Sequence, residues 1–196
     1  TWDQDPMKVD RAKTTAKQCK QVALPAREHL LDYGGGTGLL SVCLTDAFEQ
    51  ITIADTSKEM LAMAEQKIKL AGLANIKTRF IERGINELNG SFSAIVALLA
   101  LHHIDDIEGF LAGARNLLDS GGALMIADLY PESGMFHSHN KEFVGHDGFD
   151  TDELSSMLLQ AGFKVGSICN YYTITKTVRS GENKEFPLFF MVAEKL

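Results

Sequence analysis

Leu30-Leu31-Asp32-Tyr33-Gly34-Gly35-Gly36-Thr37-Gly38-Leu39-Leu40-Ser41-Val42 runs an apolar strand pattern through four glycines into a helix-like apolar pattern. Glycines at such a turn allow positive φ and leave bare main chain, while the first N–H groups of the next helix stay free as donors. This is a ligand cradle. Glycine spacing then narrows the ligand: a dinucleotide fingerprint has its third glycine three residues after the second. Leu39 holds that position here.

The glycines at 34, 36 and 38 instead follow Asp32 and read D-x-G-x-G-x-G. This resembles the first motif of the class I S-adenosylmethionine (SAM) dependent methyltransferases. The resemblance implies Asp32 near the cofactor's ammonium, with Gly34, Gly35, Gly36, Thr37 and Gly38 passing beneath the nucleoside. A carboxylate suits a cofactor carrying an ammonium and a sulfonium, and would repel a diphosphate. Taken alone, the string also fits a tight turn in an unrelated α/β protein.

A strand over 51–54 closes on Asp55, 21 residues after Gly34, where nucleoside-binding α/β folds place an acid for the ribose hydroxyls. Thr56 with Glu59 predicts a capping box for a helix over 57–71, which leaves Asp55 free for the ligand. Thr56 is placed beside the cofactor, and Met60 either touches adenine or packs in the core. After a strand over 76–81, either Glu82 or Gly84 stands at the adenine, and Ile85 is expected to be its wall. A strand over 94–99 leads into Leu101-His102-His103-Ile104-Asp105-Asp106, which resembles the L-H-H-x-x-D segment of many small-molecule methyltransferases. That resemblance implies Leu98 and Leu99 behind the methionine part and His103 toward the substrate mouth. His102 is read as a capping or packing residue. Ser93 departs from the family, where aspartate is usual, at a position read as structural.

The chain has 196 residues, 45% hydrophobic, which fits one domain with appendages. Lys and Arg total 19 against 26 Asp and Glu, a formal charge of −7, with no dense basic run, so nucleic acid is disfavoured as a partner. Cys19, Cys43 and Cys169 show no C-x-x-C spacing and read as buried thiols of a reducing compartment. The apolar run 95–101 is far shorter than the roughly 20 residues of a membrane span. The cytoplasm is the default location, although the first residue is Thr1 and a preceding segment could be missing.

Residues 1–25 form an appended helix with Val9, Ala12, Ala16, Cys19 and Ala23 on one face, stopped by Pro25. Lys8, Arg11, Lys13, Lys17 and Lys20 are read as its solvated face, and Trp2 as packing on the body. Helices are expected over 39–48, 107–118 and 151–161, the last capped by Asp150, and Asp119-Ser120-Gly121-Gly122 as a turn before a strand over 123–129. Residues 131–150 have no period, and a loop that long is usually functional. It is read as a substrate lid. Strands over 163–174 and 186–195 resemble the antiparallel edge hairpin of class I methyltransferases. The domain over 26–196 is therefore expected to be α/β, three-layer and doubly wound, with a mostly parallel seven-stranded sheet.

The leading expectation is SAM-dependent methyl transfer to an oxygen, nitrogen or carbon of a small molecule, perched beside a possible base among His103, His137 and His146, with Tyr130 as a polar orienter. No N/D-P-P-Y tetrapeptide follows the 94–99 strand, which argues against methylation of nucleobase amines. Relatives sharing the L-H-H segment include quinone-ring methyltransferases. His137, His139 and His146 could together hold zinc, but no supporting cysteine or H-E-x-x-H accompanies them, and no metal is expected. The rivals are a nucleotide-dependent oxidoreductase, opposed by Leu39, and a non-catalytic SAM-binding regulator. The sequence does not fix the oligomeric state.

Overall fold

Along the central strands, neighbouring side chains point into two different cores, as period-two alternation requires. The computed structural model describes residues 2–140 and 142–196, and the packing expected of the Trp2 side chain lies outside what it describes. In chain order the elements are α1 (Pro6–Gln21), β1 (His29–Tyr33), α2 (Leu39–Cys43), β2 (Gln50–Asp55), α3 (Lys58–Ala71), β3 (Ile76–Phe80) and β4 (Phe92–Leu98). Then follow α4 (Ile107–Leu117), β5 (Leu118–Leu129), α5 (Thr151–Gln160), β6 (Phe163–Thr177) and β7 (Asn183–Lys195). The sheet order is β3-β2-β1-β4-β5-β7-β6, parallel except that β7 runs antiparallel to both its neighbours. This is the doubly wound sheet with an antiparallel closing hairpin.

Leu31, Ile95, Leu124 and Phe189 face one core with Phe110 and Leu111 of α4 and Leu154 and Leu158 of α5. Leu30, Val96, Met125 and Phe190 face the other, with Ala16 and Cys19 of α1, Leu40 of α2 and Leu61 of α3. A third cluster of Leu129, Phe136, Ile174, Val178, Phe186 and Leu188 lies where the β6–β7 hairpin runs on past β5. Because β1 is flanked by β2 on one side and β4 on the other, the chain order reverses there and a crevice opens at the strand carboxyl ends.

Four local expectations are corrected. The helix expected over 39–48 stops at Cys43, because Leu44 and Ala47 N–H groups turn back to Ser41 and Leu44 carbonyls, while Asn75 Nδ2 takes the Thr45 and Phe48 carbonyls. The cap of α3 is Ser57, whose Oγ accepts from Met60 N at 3.2 Å; Thr56 is not the cap. Residues 119–122 are not a free turn but the irregular start of β5, where Leu118 pairs with Phe92 before a register shift. Cys169 is exposed rather than buried. Ser93 bridges β1 and β4: its Oγ accepts from His29 N at 3.1 Å and donates to His29 O at 3.0 Å.

Candidate active site

The glycine turn sits on Asp32, the 1% exposed carboxylate within β1. Ser41 Oγ donates to Asp32 Oδ2 at 2.6 Å, and a Cβ on Gly35 would lie 2.7 Å from the Asp32 carboxyl carbon, so only glycine lets the turn close over the acid. Burial is the main cause that raises the Asp32 pKa to about 6, with Asp55 adding to it and Ser41 opposing it. Gly38 has a different task. At φ 75° it caps α2, and its missing Cβ would meet Ile53 Cδ1 at 2.6 Å, so it fits α2 onto β2.

At the end of β2, Asp55 Oδ2 accepts from Gly36 N at 2.8 Å and Oδ1 from Ser57 N at 2.8 Å. Asp55 therefore orders the glycine turn as well as lining the crevice. On one side of the turn is a cavity of about 600 Å³ bordered by Gly34, Asp55, Thr56, Met60, Glu82 and Gly84. Both candidates for the adenine position, Glu82 and Gly84, line it. Glu87 accepts from Glu82 N at 2.8 Å and from Arg83 N, fixing that segment. Ile85 is corrected: it is 3% exposed in the core beside α4 and forms no wall of the groove.

On the other side lies a cavity of about 400 Å³ that shares Gly34, Gly36, Met60, Leu99 and His103 with the first. Asp32, Gly35, Thr37 and Leu98 also line it. Leu99 has φ 51°, a left-handed conformation uncommon for a bulky residue and one of the places where backbone strain marks a site. Lys8 and Arg11, expected on a solvated face, instead line this cavity, together with Lys176 of β6 and Phe136 of the long loop.

His102, His103 and His137 meet at the far wall of the second cavity. His102 is 1% exposed, and its Nδ1 lies 2.6 Å from Asp128 Oδ1. Asp128, at the carboxyl end of β5, also accepts from Leu129 N at 2.8 Å, Leu101 N at 3.0 Å and His102 N at 3.3 Å. His102 Nε2 faces His137 Nε2 at 3.1 Å. Burial lowers the pKa of His103, and it lowers that of His137 to about 4, with His102 and His103 adding to the latter.

The other two catalytic candidates stand elsewhere. His146 Nε2 lies 2.9 Å from Ile104 O and its main-chain N donates to His102 O at 2.9 Å, so it fastens the loop. Tyr130 packs edge-on against Phe189 at 5.5 Å, outside both cavities. The zinc trio weighed from sequence also separates, because His139 Nε2 lies 2.9 Å from Thr177 O. The reading of His102 as a capping or packing residue missed its pairing with Asp128. The available signal was a carboxylate closing an otherwise apolar strand, Asp128 in 123–129.

The comparisons with known proteins agree with this geometry. A family model described as a methyltransferase domain matches residues 31–126. A demethylmenaquinone methyltransferase of Tropheryma whipplei is 26% identical over 178 residues, covering 74% of this chain and 70% of that one. A ubiquinone biosynthesis O-methyltransferase of Xanthomonas campestris is 29% identical over 133 residues, covering 65% and 55%. A solved SAM-dependent methyltransferase from Aquifex aeolicus shares the fold, with TM-score 0.72 at 19% identity over 98% of this chain and 99% of that one.

Proposed function

We propose that the chain is an S-adenosylmethionine-dependent methyltransferase, which binds SAM across the glycine turn and methylates a small molecule held in the cavity beside the histidines. The observation that carries this reading is the pair of carboxylates at neighbouring strand ends with bare peptide between them. Asp32 fits a cationic ammonium, and Asp55 fits ribose hydroxyls, each without a phosphate to repel. The same carboxylate beneath the turn disfavours the dinucleotide alternative. When bound, SAM supplies an electrophilic methyl on a sulfonium.

The chain's own contribution is orientation and dryness. Leu98 and Leu99 form an apolar back wall, Met60 and His103 stand at the junction of the two cavities, and Phe136 of the long loop adds an aromatic surface to the lining. Holding an acceptor in line with the methyl supplies most of the acceleration such a site needs. His102, His103 and His137 are the groups positioned to receive or displace an acceptor proton. The relatives named for quinone methylation make an aromatic hydroxyl or ring carbon a reasonable acceptor class.

Calorimetry with S-adenosylhomocysteine tests the cofactor half. Asp55→Ala is expected to weaken binding by about 1–3 kcal/mol, the scale of lost charge-assisted hydrogen bonds. Unchanged affinity would remove Asp55 from the ribose.

A further inference from the structure

We infer that His102, His103 and His137 form a binding site for a divalent transition-metal ion of the zinc type, with an open coordination position facing the acceptor cavity. One donor nitrogen from each lies within 4.8 Å of the others. Imidazole nitrogens bound tetrahedrally at 2.0–2.1 Å stand about 3.3 Å apart. The His102–His137 pair, at 3.1 Å, already has that spacing. Only the exposed His103 has to turn inward.

The surroundings favour metal binding over a chance meeting of rings. Asp128 accepts only, so it holds the proton of His102 on Nδ1 and leaves the Nε2 lone pair directed at His137. A carboxylate behind a ligating histidine is the arrangement that fixes tautomer and ring angle in metal sites. Three main-chain N–H groups saturate the remaining capacity of Asp128, so the carboxylate itself cannot swing round to the ion. Phe143 stacks on His137 at 3.8 Å and 12°, holding the second ring. Three neutral nitrogens with no carboxylate ligand suit zinc, cobalt, nickel or copper rather than magnesium or calcium.

All three histidines border the 400 Å³ cavity, so the fourth position opens toward the acceptor. An ion there would take a hydroxyl or thiol acceptor as its anion, releasing that proton to solvent before the methyl moves. This last role rests on the methyl-transfer reading; metal binding itself does not.

The test uses the full chain stripped with a chelator and titrated with zinc chloride in the absence of SAM. One ion per chain is expected. His103→Ala and His137→Ala should each weaken zinc at least tenfold, and Asp128→Asn about 10–100-fold. His139→Ala, outside the cluster, should leave it unchanged. His103 is exposed, so its variant reports even where His137→Ala does not fold. In the cobalt-loaded protein, azide should shift the visible spectrum by entering the open position. Absence of stoichiometric zinc binding, undiminished binding by His103→Ala, or dependence on His139 overturns the site; a cobalt spectrum indifferent to azide overturns the open position. S-adenosylhomocysteine binding by the zinc-free protein is measured alongside, so a failed metal site leaves the cofactor reading separately judged.

Discussion

Asp32 carries a charge that the apo fold disfavours and a cationic cofactor would favour. Its ordinary pKa of 3.8 rises to about 6 in the folded chain, chiefly through burial. Below about pH 4 it is protonated in folded and unfolded chains alike and contributes no difference. Between about 4 and 6 the unfolded chain ionises first and binds fewer protons, so stability falls as pH rises, by at most about 1.4 kcal/mol per unit, and then levels off. An ammonium beside the ionised group reverses the preference. Affinity for S-adenosylhomocysteine should therefore climb from pH 5 to 7 and flatten above, while Asp32→Asn abolishes the climb and steadies the apo protein. Calorimetry and urea unfolding across that range give both readings, and a flat wild-type affinity would separate Asp32 from the ammonium.

At the scale of elements, the segment just before α1 is tied to the glycine turn and to α3 by a small polar network. Thr37 Oγ1 donates to Asp3 Oδ1 at 2.7 Å, Lys67 Nζ pairs with Asp3 Oδ2 at 2.7 Å, and Lys67 Nζ also donates to Thr37 O at 2.7 Å. Farther along, Thr15 Oγ1 and Tyr171 Oη meet at 2.9 Å, which docks α1 on β6. Asp3→Ala should loosen the segment before α1 and weaken cofactor binding several-fold, with a melting temperature within a few degrees of the parent, since partly exposed ion pairs add little stability. A large drop in melting temperature with unchanged affinity would make the network structural instead. These contacts explain what the sequence did and did not disclose. The strand–glycine–helix order and the capped helices follow from local patterning, so β1, β2, α3 and the place of Asp32 and Asp55 were readable in advance. Lys8 and Arg11 looked like a solvated face because a lone helix shows only its periodicity; which neighbour roofs it over is decided by β6, more than 150 residues away. His102, likewise, acquires its partner only when β5 sets Asp128 alongside.

On the scale of the whole molecule, the hairpin outruns the sheet it closes. β7 pairs with β5 only from Leu188 onward, with Tyr130 N donating to Pro187 O at 3.3 Å just beyond, so residues 183–186 pair with β6 alone and project past the strand ends. That overhang carries Phe186 and Ile174, against which Phe136 of the long loop packs, and it brings Lys176 to the acceptor cavity. Two kinds of stability follow. Phe189, fully buried beside Asp128 in the main core, belongs to the body: Phe189→Ala should cost about 3–5 kcal/mol of global stability. Phe186, in the satellite cluster and edge-on to Phe136 at 5.1 Å, belongs to the overhang. Phe186→Ala should cost less globally and instead raise amide exchange selectively in 131–150 and 174–187, because a small cluster can open without the body. Urea unfolding with hydrogen exchange distinguishes the two. Equal losses and uniform exchange in both variants would mean that the roof over the acceptor cavity unfolds only with the whole chain, and that acceptors must enter without the overhang lifting.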